Sequence, residues 1–174
     1  MSPSLTPASP WRQLLAALYD SLLLTAVLFL AMALLLILGR GEMPIQNQPL
    51  LSLYLLAVAF LFFGGFWTHG GQTLGMRAWK LQLRRLDGGP VDWRQSLLRF
   101  LTALPAWLVF IIGVARATGV PLHSRPWLEP LNAIPGWLVL AIGMIWLWWD
   151  HRPGNWRSRL SGTEVYDLRE APNG

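Results

Sequence analysis

Residues 14–38 read LLAALYDSLLLTAVLFLAMALLLIL, a run that is apolar except for a few hydroxyl groups and one carboxylate, that of Asp20. An α-helix rises about 1.5 Å per residue, so about 20 apolar residues cross the ~30 Å hydrocarbon layer of a bilayer. This run is long enough to do so. It has no basic cluster ahead of it and is far longer than the apolar core of a cleaved signal. We therefore predict a retained membrane helix here.

The composition of the whole chain is that of a membrane protein. Of the 174 residues, 53 % are hydrophobic and only 13 % are charged, which is too apolar for an ordinary soluble domain. Cysteine is absent, which excludes disulfides and zinc sites of the cysteine type. We predict an all-α membrane protein with four transmembrane helices, at residues 14–38, 50–67, 97–115 and 131–149.

The basic residues are distributed unevenly between the loops of this topology. Of the 14 Lys and Arg residues, only Arg40, Arg116 and Arg125 fall on the side opposite to the termini. The positive-inside rule therefore predicts that both termini and the long central loop are cytoplasmic. The same topology accounts for the net charge of +5, so nucleic acid is not an expected partner.

Two stretches outside the apolar segments have the pattern of a β-strand. In residues 79–86 the polar side chains of Lys80, Gln82 and Arg84 alternate with apolar neighbours, which is a period of two. Residues 163–168 have a weaker form of the same pattern. A lone strand leaves its backbone groups unpaired, so we predict that these two stretches pair as a small cytoplasmic β element.

The two ends of the chain are predicted to lie outside the folded domain. Residues 1–10 are rich in proline and serine, a composition typical of a disordered tail. The membrane domain is predicted at residues 11–168, and residues 169–174 form a C-terminal tail. Within the domain, Asp92 is predicted to cap the helix that leads into the third apolar segment.

Asp20 is the only charged side chain within the first predicted helix. An ionised carboxylate in a bilayer costs on the order of 3 kcal/mol, and such residues are paired, face water or move ions. Arg12 is about two turns away, ~12 Å along the axis, which is too far for a direct pair. Arg99 is the predicted partner, because antiparallel packing brings it to a similar depth. Two roles remain open: a structural ion pair and an ion or proton pathway.

Four groups of residues occur in an order that resembles a known family. The first group is Arg12 with Asp20. The others are the turn motif (Gly71, Gln72, Thr73, Gly75, Arg77, Asp87, Gly88 and Gly89), the segment Leu97-Leu98-Arg99, and the closing motif (Arg159, Gly162 and Thr163). Together they resemble the RDD family of small bacterial membrane proteins. The turn motif lacks the spacing of a phosphate-binding loop, so we interpret it as a tight connection between the second helix and the strand.

The resemblance carries expectations about location and mechanism. It implies a multi-pass protein of the bacterial cytoplasmic (inner) membrane, of a family suspected of transporting ions or other ligands. The family is named for one arginine and two aspartates, and Arg12 and Asp20 match the first two. Ser158 stands where the second aspartate is expected. Asp150 or Asp167 would have to stand in for it, and the spacing of the sequence selects neither.

Two functional hypotheses follow from these observations. In the first, the protein is a small transporter of cations or protons built around Asp20, with Arg12 and Arg99 tuning it. Four helices with one intramembrane acid make a narrow pathway, so this version predicts a homo-oligomer with the site at the subunit interface. In the second, it is a non-transporting helper or scaffold that binds a membrane-protein partner or anionic lipids of the bilayer.

The sequence offers little for other kinds of chemistry. His69, His123 and His151 are scattered without the spacing of metal ligands, so no metal site is predicted. No serine is placed beside a histidine in a nucleophile–base arrangement. We therefore expect neither catalytic residues nor a cofactor, and we do not expect an enzyme.

Overall fold

The computed structural model describes residues 6–42, 48–119 and 133–170. Within these residues the chain forms α-helices and short strands. The strands are β1 (Thr6–Pro7), β2 (Leu81–Arg85) and β3 (Thr163–Asp167), and the helices are α1 (Pro10–Leu38), α2 (Gln48–Thr68), α3 (Leu74–Ala78), α4 (Trp93–Ala117), α5 (Gly136–Asp150) and α6 (Trp156–Ser161).

Three of these helices, α1, α2 and α4, are long and apolar enough to cross a membrane. Only 6 % of the most apolar window of α1 is buried, 17 % of that of α2 and 28 % of that of α4. Most of their apolar side chains therefore face outward, as helices in contact with lipid do. Helix α4 begins where Asp92 caps it, since the Asp92 side chain accepts from Gln95 N and the Gln95 side chain accepts from Asp92 N.

The fourth predicted segment, residues 131–149, is shorter in the structure. Helix α5 has 15 residues, about 22 Å in length, and begins after Pro135. The residue before a proline is disfavoured in the helical conformation, so Ile134 does not extend the helix backward. Residues 131 and 132 lie outside the described residues. A helix of this length is shorter than a typical span, and the structure supports three candidate spans with a fourth short apolar helix.

The predicted pairing of the two strand-like stretches is confirmed. Strands β2 and β3 are antiparallel, with Leu81 opposite Asp167 and Arg85 opposite Thr163. Leu81, Leu83 and Val165 are fully buried, and they pack in one cluster with Ala16, Ala59, Trp67 and Phe100 of the long helices. The sheet is therefore attached to one end of the helical bundle.

The structure differs from the predicted disordered tail at residues 6–10. Thr6–Pro7 forms β1 on the outer side of β3, which gives the sheet the order β1-β3-β2, and Ala8 N donates to Val165 O at 2.8 Å. Pro7 has no N–H to donate, and an edge strand tolerates this. Pro10 already belongs to α1. Residues 1–5 of the predicted tail and the end of the C-terminal tail lie outside the described residues.

Helices α4 and α5 cross at very short range through glycines. A Cβ at Gly143 would lie 2.7 Å from Phe110 Cα, and one at Gly113 would lie 2.5 Å from Leu140 Cα. Real side chains do not approach a backbone so closely. These glycines therefore set the distance between the two helices, as small residues do at membrane helix contacts.

Candidate functional site

Asp20 is buried and bonded within the chain, with only 3 % of the residue exposed. Thr73 Oγ1 donates to its Oδ2 at 2.5 Å, and Gly75 N donates to its Oδ1 at 2.8 Å. Thr73 also caps α3, because its hydroxyl oxygen accepts from Met76 N at 3.1 Å. The turn motif therefore supplies the partners of Asp20, and it holds the beginning of α3 against α1.

The predicted pair between Asp20 and Arg99 is wrong. None of the ion pairs among the described residues includes Asp20. Arg99 Nη1 donates instead to Thr163 O at 3.2 Å and to Thr163 Oγ1 at 3.1 Å. The carboxylate of Asp20 is instead satisfied by two donors at the start of α3, the Thr73 hydroxyl and the Gly75 N–H. Two hydrogen bonds at the N-terminal end of a helix stabilise a carboxylate without a cation.

Arg12 joins the start of α1 to the sheet. Its Nη1 donates to Asp167 Oδ2, and its Nη2 donates to Trp79 O. Arg169 Nη2 donates to the same Asp167 oxygen at 3.0 Å. Arg12 and Asp20 thus have separate partners, as their predicted distance along α1 requires. Asp167, a predicted replacement for the second family aspartate, is the acid that pairs with Arg12.

The rest of the turn motif shapes the connections around β2. Gly71 O accepts from Leu83 N at 2.7 Å, and Gln72 Nε2 donates to Leu81 O at 2.7 Å. A Cβ at Gly71 would lie 2.3 Å from Leu83 O, and the φ of +69° also favours glycine. Arg77 lies in the last turn of α3. The motif thus lies in the connection from α2 to β2, which includes the short helix α3.

The second part of the motif closes the other end of β2. Gly89 N donates to Asp87 Oδ1 at 3.0 Å, and Gly88 has a φ of +85°. Asp87 also forms an exposed ion pair of 2.7 Å with Arg85. These are the contacts of a turn.

The closing motif ends α6 and starts β3. Gly162 is the left-handed C-cap of α6 with a φ of +64°, and Thr163 follows it as the first residue of β3. Arg159 Nε donates to Gly154 O at 3.1 Å on the surface. Ser158, where the resemblance led us to expect the second aspartate, is buried, and its N–H donates to Asn155 Oδ1 at 2.7 Å. Ser158 therefore lies in the first turn of α6, where its backbone N–H is capped by Asn155.

A buried polar cluster between α5 and α6 was not predicted as a unit. Arg157 Nη1 donates to Asp150 Oδ2 at 3.1 Å, and both side chains are almost fully buried. Gln13 Nε2 donates to His151 O at 3.1 Å and thereby ties α1 to the end of α5. Burial, followed by the positive charge of Arg157, lowers the pKa of His151 to about 3, although its bond to Leu147 O acts in the opposite direction. His151 is therefore neutral at physiological pH.

A cavity of about 450 Å³ lies between α1, α2 and α4. Apolar side chains such as Leu24, Phe63 and Leu104 make up most of its walls. Its inner end adjoins the sheet, where Val165 of β3 lines it together with a group of polar residues: Gln13, Asp20, Thr73, Arg99, His151 and Arg157. The cavity therefore combines an apolar interior with one polar end. No group of three metal-ligating side chains occurs in the part of the chain that the structure describes.

The pairs around Asp167 predict a pH dependence of stability. Burial alone raises the pKa of its carboxyl, but hydrogen bonds from Arg169 and from Arg12 outweigh burial and hold the pKa well below its usual range. Such a group stabilises the fold fully above the unfolded pKa of about 4, and the contribution is lost as the pH falls through the lower folded value. We expect the free energy of unfolding to fall from about pH 4 downward, and less steeply in Asp167→Asn.

Thermal unfolding in detergent at a series of pH values measures this effect. Asp87→Asn is the matched control, because Asp87 belongs to an exposed ion pair whose partners are 40 % and 58 % exposed in their side chains. Exposed pairs contribute little to stability. The prediction would be contradicted if the free energy of unfolding fell equally steeply below about pH 4 in wild type and in Asp167→Asn.

Comparison with known proteins identifies a family. The sequence profile described as RDD family matches residues 7–157. The matched stretch contains α1 to α5 with Arg12, Asp20, Arg99 and the turn motif, and it ends before Ser158 and the closing motif. No curated protein and no solved structure matches the chain.

Proposed function

The chain belongs to the RDD family, and from this premise we propose that it is a non-transporting membrane helper that binds a membrane lipid between α1, α2 and α4. The observation that carries the proposal is the cavity. Its volume of about 450 Å³ is in the range of ligand sites, roughly 300–1,000 Å³. Its lining includes Leu56 and Ile111, which are 38 % and 58 % exposed. The cavity thus opens toward the outward-facing apolar surface, from which an acyl chain would enter.

The proposal includes a topology. We place the protein in the bacterial inner membrane with both termini and the sheet on the cytoplasmic side, because most of the basic residues lie on that side. In this arrangement α5 crosses as a fourth, short helix that packs against α4. The polar end of the cavity then lies near the cytoplasmic interface, where lipid head groups are found. The proposal assigns the protein no catalytic reaction.

A cavity-filling variant tests the lipid proposal. Ala59 lines the cavity and is 8 % exposed, whereas Ala57, two residues earlier on α2, is exposed to the outside. We expect native mass spectrometry of the purified protein to detect a lipid adduct that Ala59→Leu loses and Ala57→Leu retains. An adduct of equal intensity in both variants, or none in wild type, would reject binding in this cavity.

Cation or proton transport is the second candidate, because Asp20 lines the same cavity. The bonds of Asp20 argue for a structural role, since both of its oxygens already accept from α3. The test is a flux assay in liposomes that contain a pH-sensitive dye and receive pulses of Na⁺, K⁺ or Li⁺. A cation-dependent proton flux that is lost in Asp20→Asn would replace the helper proposal with transport. In that case we would also expect a homo-oligomer.

Substitutions of Asp20 separate its structural role from its charge. The oxygen of Asn can still accept from Gly75 N, and its amide can donate to Thr73 Oγ1, so Asp20→Asn should cost less than about 1 kcal/mol of unfolding free energy. Asp20→Ala leaves both buried groups of α3 unpaired and should cost about 2 kcal/mol. Unfolding in detergent measures both values. If Asp20→Asn and Asp20→Ala lost the same unfolding free energy, the negative charge of Asp20 would matter more than its hydrogen bonds.

A further inference from the structure

Arg99 is a buried cation with spare hydrogen-bond donors. The residue is 4 % exposed and lines the inner end of the cavity. Among the described residues only its Nη1 donates, in both cases to Thr163, so Nε and Nη2 have no acceptor there. A guanidinium has five donors in a planar fork that matches two oxygens of a carboxylate or phosphate. Arg99 belongs to none of the ion pairs of the described residues, and a buried cation is favoured by a directly paired anion, which an anionic ligand would supply.

The carboxylates near Arg99 have other partners. Asp20 accepts from Thr73 and Gly75, Asp150 accepts from Arg157, and Glu164 Oε2 accepts from Gly154 N at 2.9 Å. None of these acids forms an ion pair with Arg99 among the pairs of the described residues. The Nε and Nη2 donors of Arg99 are thus available to a ligand at the cavity wall.

The cavity extends from Arg99 toward the membrane. Ile111, at its outer end, follows Arg99 by about three turns of α4, which corresponds to ~18 Å along the helix. The walls between them include Leu104 and Trp107 on α4 and Leu24 and Leu28 on α1. The inner end of this apolar slot thus contains two arginines, Arg99 and Arg157, and the carboxylate of Asp20, whose oxygens accept from Thr73 and Gly75. An acidic head group joined to a hydrocarbon chain would pair with Arg99 at this end.

We propose that Arg99 binds the anionic head group of a membrane lipid whose acyl chain lies in the cavity. The inference rests on the proposed lipid-binding function and adds the head-group chemistry and the residue that selects it. The occupant is a lipid that carries a phosphate or carboxylate, because only an amphiphile satisfies both the fork and the apolar walls. The slot favours anionic lipids over zwitterionic lipids with the same acyl chains.

Competitive lipid binding to the full-length protein tests the inference. Native mass spectrometry would compare phosphatidylglycerol with phosphatidylcholine of identical chains, and we expect a preference for phosphatidylglycerol of about tenfold. Arg99→Gln should abolish the preference and still bind both lipids through their chains. Arg99→Lys keeps a positive charge without the fork and should show an intermediate preference. An unchanged preference in Arg99→Gln would overturn the inference and leave the lipid-binding function standing.

The remaining outcomes are also informative. The absence of any lipid adduct in wild type would reject both proposals together. If millimolar inorganic phosphate displaced phosphatidylglycerol, the site would be one for free anions rather than for a lipid. If Arg99→Gln fails to fold, a phosphatidylglycerol with a photoreactive acyl chain labels wild type instead. Crosslinks at Leu104 or Trp107 that only anionic lipid competes away support the inference, and crosslinks confined to the outer surface overturn it.

Discussion

Gly75→Ala should lower the unfolding free energy of the protein by about 4 kcal/mol. The new Cβ would lie 2.3 Å from Ala16 O and 2.9 Å from the carboxylate of Asp20. Backbone at Ala16 cannot rotate away as a side chain would, so α3 must move from α1. This overpacking costs about 1–3 kcal/mol, and weakening the Gly75–Asp20 hydrogen bond adds to it.

Gly65→Ala is the matched control for this prediction. Gly65 lies in α2, and a Cβ there would meet no atom within 4 Å. Alanine also has the higher helix propensity, so this variant should be as stable as wild type or slightly more stable. Unfolding in detergent, followed by circular dichroism or tryptophan fluorescence, compares the three proteins. Equal stability of Gly75→Ala and Gly65→Ala would show that α3 is not held tightly against α1.

Gly143→Ala should lower the unfolding free energy by about 3 kcal/mol. Its Cβ would lie 2.7 Å from Phe110 Cα and 2.9 Å from Phe110 N, both of which are backbone atoms of α4. The two helices must therefore separate or slide, and the tight contacts at Gly113 would be lost with them.

The same unfolding measurement tests Gly143→Ala against the Gly65→Ala control. If the variant is as stable as the control, α5 does not depend on close packing with α4.

The elements that the sequence predicted well have strong local signals. Long apolar runs predict α1, α2 and α4, because a helix that faces lipid needs only apolar side chains and internal backbone hydrogen bonds. The alternation in residues 79–86 predicts β2, and the structure pairs it with β3. Asp92 is predicted as a cap from its place before the third apolar segment, and in the structure its partner Gln95 is only three residues away. In each case the information is contained in a few neighbouring residues.

The features that the sequence did not predict depend on distant contacts. The partners of Asp20 are more than 50 residues away along the chain. Opposite charge favoured Arg99 as the partner, whereas backbone and hydroxyl donors of α3 carry no charge pattern that a sequence reveals. Strand β1 has only two residues and includes a proline, so no alternation marks it. The sequence gives one indication of the cluster that contains Asp150 and Arg157: three ionisable residues, at positions 150–152, follow the apolar run of α5 directly.

The strand order β1-β3-β2 has a consequence for biosynthesis. Thr6 lies opposite Asp167, so the sheet joins the two extremes of the described chain. Membrane helices enter the bilayer as they leave the ribosome, and β3 is translated only after all of them. Until β3 has been translated, β1 and β2 lie on the same side of the membrane with no strand to pair with. The sheet can form only after β3 has been translated. A chain truncated before Thr163 would therefore contain the helices, but β1 and β2 would lack the strand that pairs with both of them.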